Sequence, residues 1–174
     1  MEFRELRADE IDARVQQIGK NEKGIYCLIL LYKDARCDMN ILDETVGVEN
    51  WQRTHKMIGN SLFCEVGIYD EKKQEWIWKE DVGTASNMEA EKGQASDSFK
   101  RACFNLGIGR ELYTAPKIVI SLNHDEISDV KGKLKLKGRM KFSVSKIKYE
   151  NRKIKYLEIV DQNERIRWSN YPEQ

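Results

Sequence analysis

The chain has only two prolines in 174 residues, and no internal repeat or long low-complexity tract, so nothing in it reads as a linker between domains. Length alone then favours one domain over residues 1–174. Histidine is scarce as well. His55 and His124 lie at no metal-ligand spacing from the four cysteines at 27, 37, 64 and 103, among which there is no CxxC pair, so neither a zinc site nor any other metal is expected. No GxxxxGK[ST] loop is present, which disfavours an ATP-driven recombinase or helicase, and no GxGxxG follows a strand, so no nucleotide cofactor is expected. No stretch approaches the roughly 18 apolar residues of a membrane span, and MEFRELRADEI lacks a signal core. The expectation is a soluble, cytoplasmic protein with no membrane partner. In that reducing compartment Cys27, Cys64 and Cys103, each in an apolar periodic segment, read as small buried hydrophobes. Net charge is nearly absent too, at +1, so a global electrostatic argument for a polyanionic partner fails.

What the chain does have is charge segregation. Between residues 131 and 155 eleven lysines or arginines stand against one acid, Glu150, while the remainder of the chain is acidic in balance. Asymmetry of this kind points to an anionic partner more than net charge does. A hairpin with one solvated lysine face satisfies the same pattern.

Periodicity sets out the elements. Ile11, Val15 and Ile18 recur at helical spacing, with Asp9 as a cap and Gly19 as a stop, and predict a short helix over 8–19. GIYCLILLYK at 24–33 is a continuous apolar run that suits a strand covered on both faces. Met39, Leu42 and Val46 form a second helical stripe, ended near Gly47. WQRTHKMI, SLFCEVGIYD and QEWIWKEDV then alternate with period two across short turns, an antiparallel meander. KIVIS after Pro116 predicts a strand, and 123–133 a surface loop. MKFSVSKIKY and KIKYLEIVD form a terminal hairpin, with Phe142, Val144 and Ile147 on one side and the lysines largely on the other, and RIRWS follows. The expected class is α+β: an antiparallel β-meander packed on a long helix, with an added C-terminal β-hairpin.

The helix that follows the meander carries the chemistry. SNME at 86–89 matches a capping box. At 100° per residue Ala95, Phe99, Ala102, Cys103 and Leu106 gather into one apolar stripe, leaving Lys100, Arg101 and Phe104 on the opposite side. Two cations flanking a ring suit single-stranded nucleic acid, with charge for phosphates and a π-face for a base. Equally, such lysines and arginines can be a solvated face, and such a ring a subunit contact. GIGRE at 107–111 follows a helix, where glycine serves as a C-cap rather than a phosphate cradle. Glu65, Asp70, Glu80 and Asp81 lie on neighbouring strands, and a Mg²⁺-dependent nuclease would need several of them to converge. Their spacing matches no nuclease signature, and His55 has no serine or cysteine motif beside it.

The order NWQRTH at 50–55, a strand pair, EDVG at 80–83 and EAEKGQASDSFKRACFNLGIGREL at 89–112 resembles the phage single-strand annealing proteins of the Sak type, in the Rad-fifty-two superfamily. The similarity runs from about Tyr26 to Tyr113, and the hairpin from Met140 to Val160 is also similar to the phage members. The resemblance implies a DNA-annealing domain, the protomer of an oligomeric ring with a basic groove around its outside. Single-stranded DNA lies in that groove with its backbone held by cations and its bases presented to a second strand. It implies no ATP, no cofactor and no catalytic residue. The implied partners are single-stranded DNA, further copies of the chain in a ring or helix, a phage exonuclease and a host single-strand binding protein, within the bacterial cytoplasm. By position, the family's helix cations correspond to Lys100 and Arg101, and its upstream groove arginine to Arg36. Where eukaryotic relatives carry a third cation, this chain has Phe104. Either that ring stacks on bases, or it packs between subunits and Arg110, Lys146 or Lys148 completes the groove. A Mg²⁺-dependent nuclease and a plain single-strand-binding module without annealing activity are the alternatives.

Overall fold

The computed structural model describes residues 1–84 and 90–172. The capping box expected at 86–89 lies outside the described residues. The chain is α+β with antiparallel sheets and forms two compact units, residues 1–5 with 34–110 and residues 6–33 with 111–174.

The first unit is built on the meander. Strands β3 (Trp51–Ile58), β4 (Ser61–Asp70) and β5 (Glu75–Val82) form a three-stranded antiparallel sheet in that order. Gly59, at φ +61°, supplies the left-handed residue that the first tight turn needs. Helix α1 (Ala35–Val46) begins where the Asp34 carboxylate accepts from the Arg36 and Cys37 amides at 2.7 and 3.2 Å, and it stops at Gly47, φ +85°. Helix α2 (Ala90–Leu106) closes with the amide of Ile108 donating to the Cys103 carbonyl at 3.0 Å, around Gly107 at φ +104°. Phe99, Ala102 and Cys103 of α2 are buried, as the periodicity predicts, with Ile41 and Leu42 of α1 and Cys64, Val66 and Ile68 of β4. Ala95 and Leu106, at the rim of the predicted stripe, are half-buried.

The second unit is a six-stranded antiparallel sheet in the order β11-β10-β9-β1-β2-β6. Its strands are β1 (Asp12–Asn21), β2 (Gly24–Tyr32), β6 (Ile118–Leu122), β9 (Phe142–Glu150), β10 (Lys153–Asp161) and β11 (Ile166–Ser169). Three expectations change here. The segment expected as a helix over 8–19 is a single 3-10 turn, Ala8–Glu10, followed by β1. Ile11, Ala13 and Val15 alternate with polar residues, and a bulge between Val15 and Gln17 shifts the phase so that Ile18 turns inward as well. One extra residue in a strand had mimicked a helical period. The expected loop at 123–133 contains a 3-10 turn and the start of a separate hairpin, β7 (Ile127–Val130) with β8 (Lys133–Leu136), turned at Lys131 and Gly132. And β9 with β10 is no appendage: β9 pairs with β1, so the hairpin shares a core with β1, β2 and β6.

A second register shift, at Ser145, lets Phe142 and Val144 before it and Ile147 after it face inward together while Lys146 and Lys148 stay exposed. Cys27, Ile120, Leu157 and Ile159 fill the centre. Across the two edge strands Arg167 of β11 donates to the Ser121 carbonyl of β6 at 3.0 Å and to both oxygens of Glu126 at 2.8 and 2.9 Å.

Candidate nucleic-acid interface

Alternation along β3 turns Trp51, Arg53 and His55 toward α2. The Trp51 ring stacks on Phe99 with centroids 6.1 Å apart, the Arg53 guanidinium lies 4.6 Å from the Phe99 centroid, and His55 Nε2 is 3.2 Å from the Ala95 carbonyl oxygen. Arg53 is exposed while the ring beneath it is sealed. This cation was not among the expected site residues; the signal that could have found it is its shared parity with Trp51.

At the other side of α2, Arg101 Nε lies 3.3 Å from Asp81 of β5, and Asn105 donates to the Glu80 carbonyl at 2.9 Å. The Arg101 side chain keeps 41% of its surface and that of Asp81 24%, so the pair is part-buried and rests on one long contact. Lys100, 100° round the helix, is half-buried and forms no ion pair among the described residues. Phe104 is half-buried, one turn beyond. Arg110 folds back on α2, its Nε donating to the Phe104 carbonyl and its guanidinium to the Asn105 carbonyl at 3.0 Å, a cation capping a helix C-terminus.

Arg36 sits in the first turn of α1 with its guanidinium 2.7 Å from Asp34, exposed to solvent. The first unit therefore holds Arg36, Lys100, Arg101, Phe104 and Arg110, and adds Arg53. Lys146 and Lys148 belong to the second unit: Lys146 is 3.3 Å from the carboxylate of Glu158, and Lys148 is exposed with no ion pair among the described residues. Of the expected residues, Lys100, Arg101 and Phe104 share one helix, with Arg110 at its end.

The four carboxylates considered for a metal do not converge. Glu65 and Glu80 face away from α2 and share Lys56, at 2.8 and 2.9 Å; Asp81 faces Arg101; Asp70 accepts from the amides of Lys72 and Lys73 in the turn. Among the described residues no three metal-ligating side chains gather, and no helix is long and apolar enough to cross a membrane. Burial pushes the thiols of Cys27 and Cys64 up to about 11.

No family model, no curated protein and no solved structure matches this chain.

Proposed function

We propose that this chain binds single-stranded DNA without sequence preference and anneals complementary strands without nucleotide hydrolysis, as the protomer of a homo-oligomeric ring or helix. One observation carries the reading: Lys100 and Arg101, successive residues of a helix packed on an antiparallel meander, both reach solvent, one of them without any ion pair among the described residues. Arg53, held over Phe99 on the neighbouring strand, adds a third cation on the same unit.

The chemistry is charge neutralisation. Phosphate contacts supply affinity but carry no sequence information, so discrimination falls to base pairing with the incoming strand. Two DNA strands repel each other, and a cationic scaffold removes part of that barrier with no covalent step. Asp81 fits this role as a placeholder, since it takes one 3.3 Å contact from Nε while the Arg101 side chain keeps 41% of its surface for a phosphate.

The test is a double substitution, Lys100→Ala with Arg101→Ala. Affinity for all single-stranded sequences should fall alike, and the slope of log affinity against log salt should drop by about 1 to 2 per subunit. An unchanged slope in a variant with wild-type circular dichroism would rule out this face. Wild-type protein should join complementary strands in EDTA; protection of single strands with hindered pairing would identify a plain binding module instead.

A further inference from the structure

The outward face of the meander is not used by the proposed DNA site. Register places Tyr69 beside Trp76, Gly67 beside Trp78, and Glu65 beside Glu80, all on the face turned away from α2. The Trp78 indole lies flat on the backbone of Gly67, so close that a Cβ there would sit 2.8 Å from the ring carbons. Trp76 bridges it to Tyr69, with centroids 6.0 and 5.6 Å away. Trp76 and Trp78 remain 36% and 41% exposed. Exposed tryptophans in contact, next to a glycine that makes room for one of them, form a surface built for a partner.

Its charge says which kind. Beside the indoles Glu65 and Glu80 share a single cation, Lys56, leaving excess negative charge on the face. A polyanion is disfavoured there, and a cationic segment suits both the carboxylates and the indole π-faces. The chain itself carries such a segment. In Lys131, Lys133, Lys135, Lys137, Arg139 and Lys141 cations recur at every second residue, so that along β8 Lys133 and Lys135 point outward while Leu134 and Leu136 are half-buried. None of the six forms an ion pair among the described residues.

We infer that the β7–β8 hairpin of one copy docks on the Tyr69–Trp76–Trp78 face of the next. The donor and acceptor surfaces differ, so the contact is heterologous and propagates into a ring or an open helix according to the rotation between copies. The inference rests on the self-assembly in the proposed function and names the surfaces that make it.

Light scattering in the absence of DNA tests it. The variants are Glu80→Lys on the acceptor face and Lys133→Glu with Lys135→Glu on the hairpin, where exposed side chains make misfolding a small risk. Each variant alone should lose the assembled species at moderate salt, and an equimolar mixture of the two should recover it, because the reversed charges again match. Wild-type assemblies should shrink as salt rises. Variants that assemble as the wild type does, or a mixture that does not recover, would overturn these surfaces while leaving the DNA reading intact. Loss of DNA affinity by the hairpin variant with unchanged assembly would assign the hairpin to nucleic acid and equally overturn the inference. A wild-type chain monomeric at every concentration would overturn self-assembly itself.

Discussion

Gly83 closes the EDVG stretch, and its role is contact with a helix. A Cβ there would fall 2.2 Å from the Gln94 carbonyl oxygen and 2.8 Å from the Ser98 amide nitrogen, both backbone atoms of α2. Backbone cannot swing aside as a side chain does. Gly83→Ala should therefore destabilise the first unit toward the upper end of the roughly 1–3 kcal/mol of an overpacked site, measured by urea unfolding. Gly67→Ala meets only the Trp78 ring and should cost less, with a change in tryptophan emission as the indole moves. Cysteine gives a second prediction at this scale. All four thiols are buried, and burial holds those of Cys27 and Cys64 at about 11. Native protein at pH 8 should label slowly with a thiol reagent, and all four groups should react promptly in denaturant. Which residues are buried was legible where one period ran unbroken, as for Phe99 and Cys103; Arg53 was not, because an exposed arginine stacked on a buried ring looks like any polar residue of an alternating strand.

Between elements the decisive device in the second unit is Arg167. Its side chain is 13% exposed and bridges β11 to the Ser121 carbonyl of β6, to Glu126, and to Asp161, 3.4 Å away at the end of β10. Burial alone would raise the Glu126 carboxyl, but the Arg167 hydrogen bonds and the Asn123 amide outweigh it and hold the group below its ordinary value. Asp161 behaves likewise: burial opposes, while the amides of Asn163 and Arg165 and the Arg165 guanidinium lower it. Both carboxyls bind protons less readily folded than unfolded. Their contribution to stability is thus fully present above the ordinary values of 4.5 and 3.8 and is lost as pH falls through the depressed folded ones. Thermal melts should show the transition falling steeply below about pH 4. Arg167→Ala should cost about 1–3 kcal/mol near neutral pH, since Glu126 loses its two guanidinium hydrogen bonds while Asp161 keeps Arg165, and should flatten the acid limb. The meander, α1 and β9–β10 were readable element by element, since the apolar period holds along each and Gly47 and Gly59 mark two of the breaks. The bulge at Val15–Gln17 of β1 gives a period of two an apparent helical spacing, so the local pattern there points to a helix.

At the scale of the whole molecule, the inferred docking of β7–β8 pairs a basic segment at 131–141 with a sheet face on which Glu65 and Glu80 share Lys56, while the proposed DNA reading draws on Lys100 and Arg101. The sequence by itself determined the α+β class, the three meander strands and where they turn, the glycine stop of α1, the centre of the buried stripe of α2 and the basic window, because each depends on local periodicity, turn chemistry or composition. Only the tertiary structure decided that the terminal hairpin joins β1, β2 and β6, that Arg101 reaches Asp81, and that Arg167 ties β11 to Ser121 and Glu126. Those facts are contacts between residues far apart in the chain, and no local pattern encodes which strand edge or side chain a distant residue will meet.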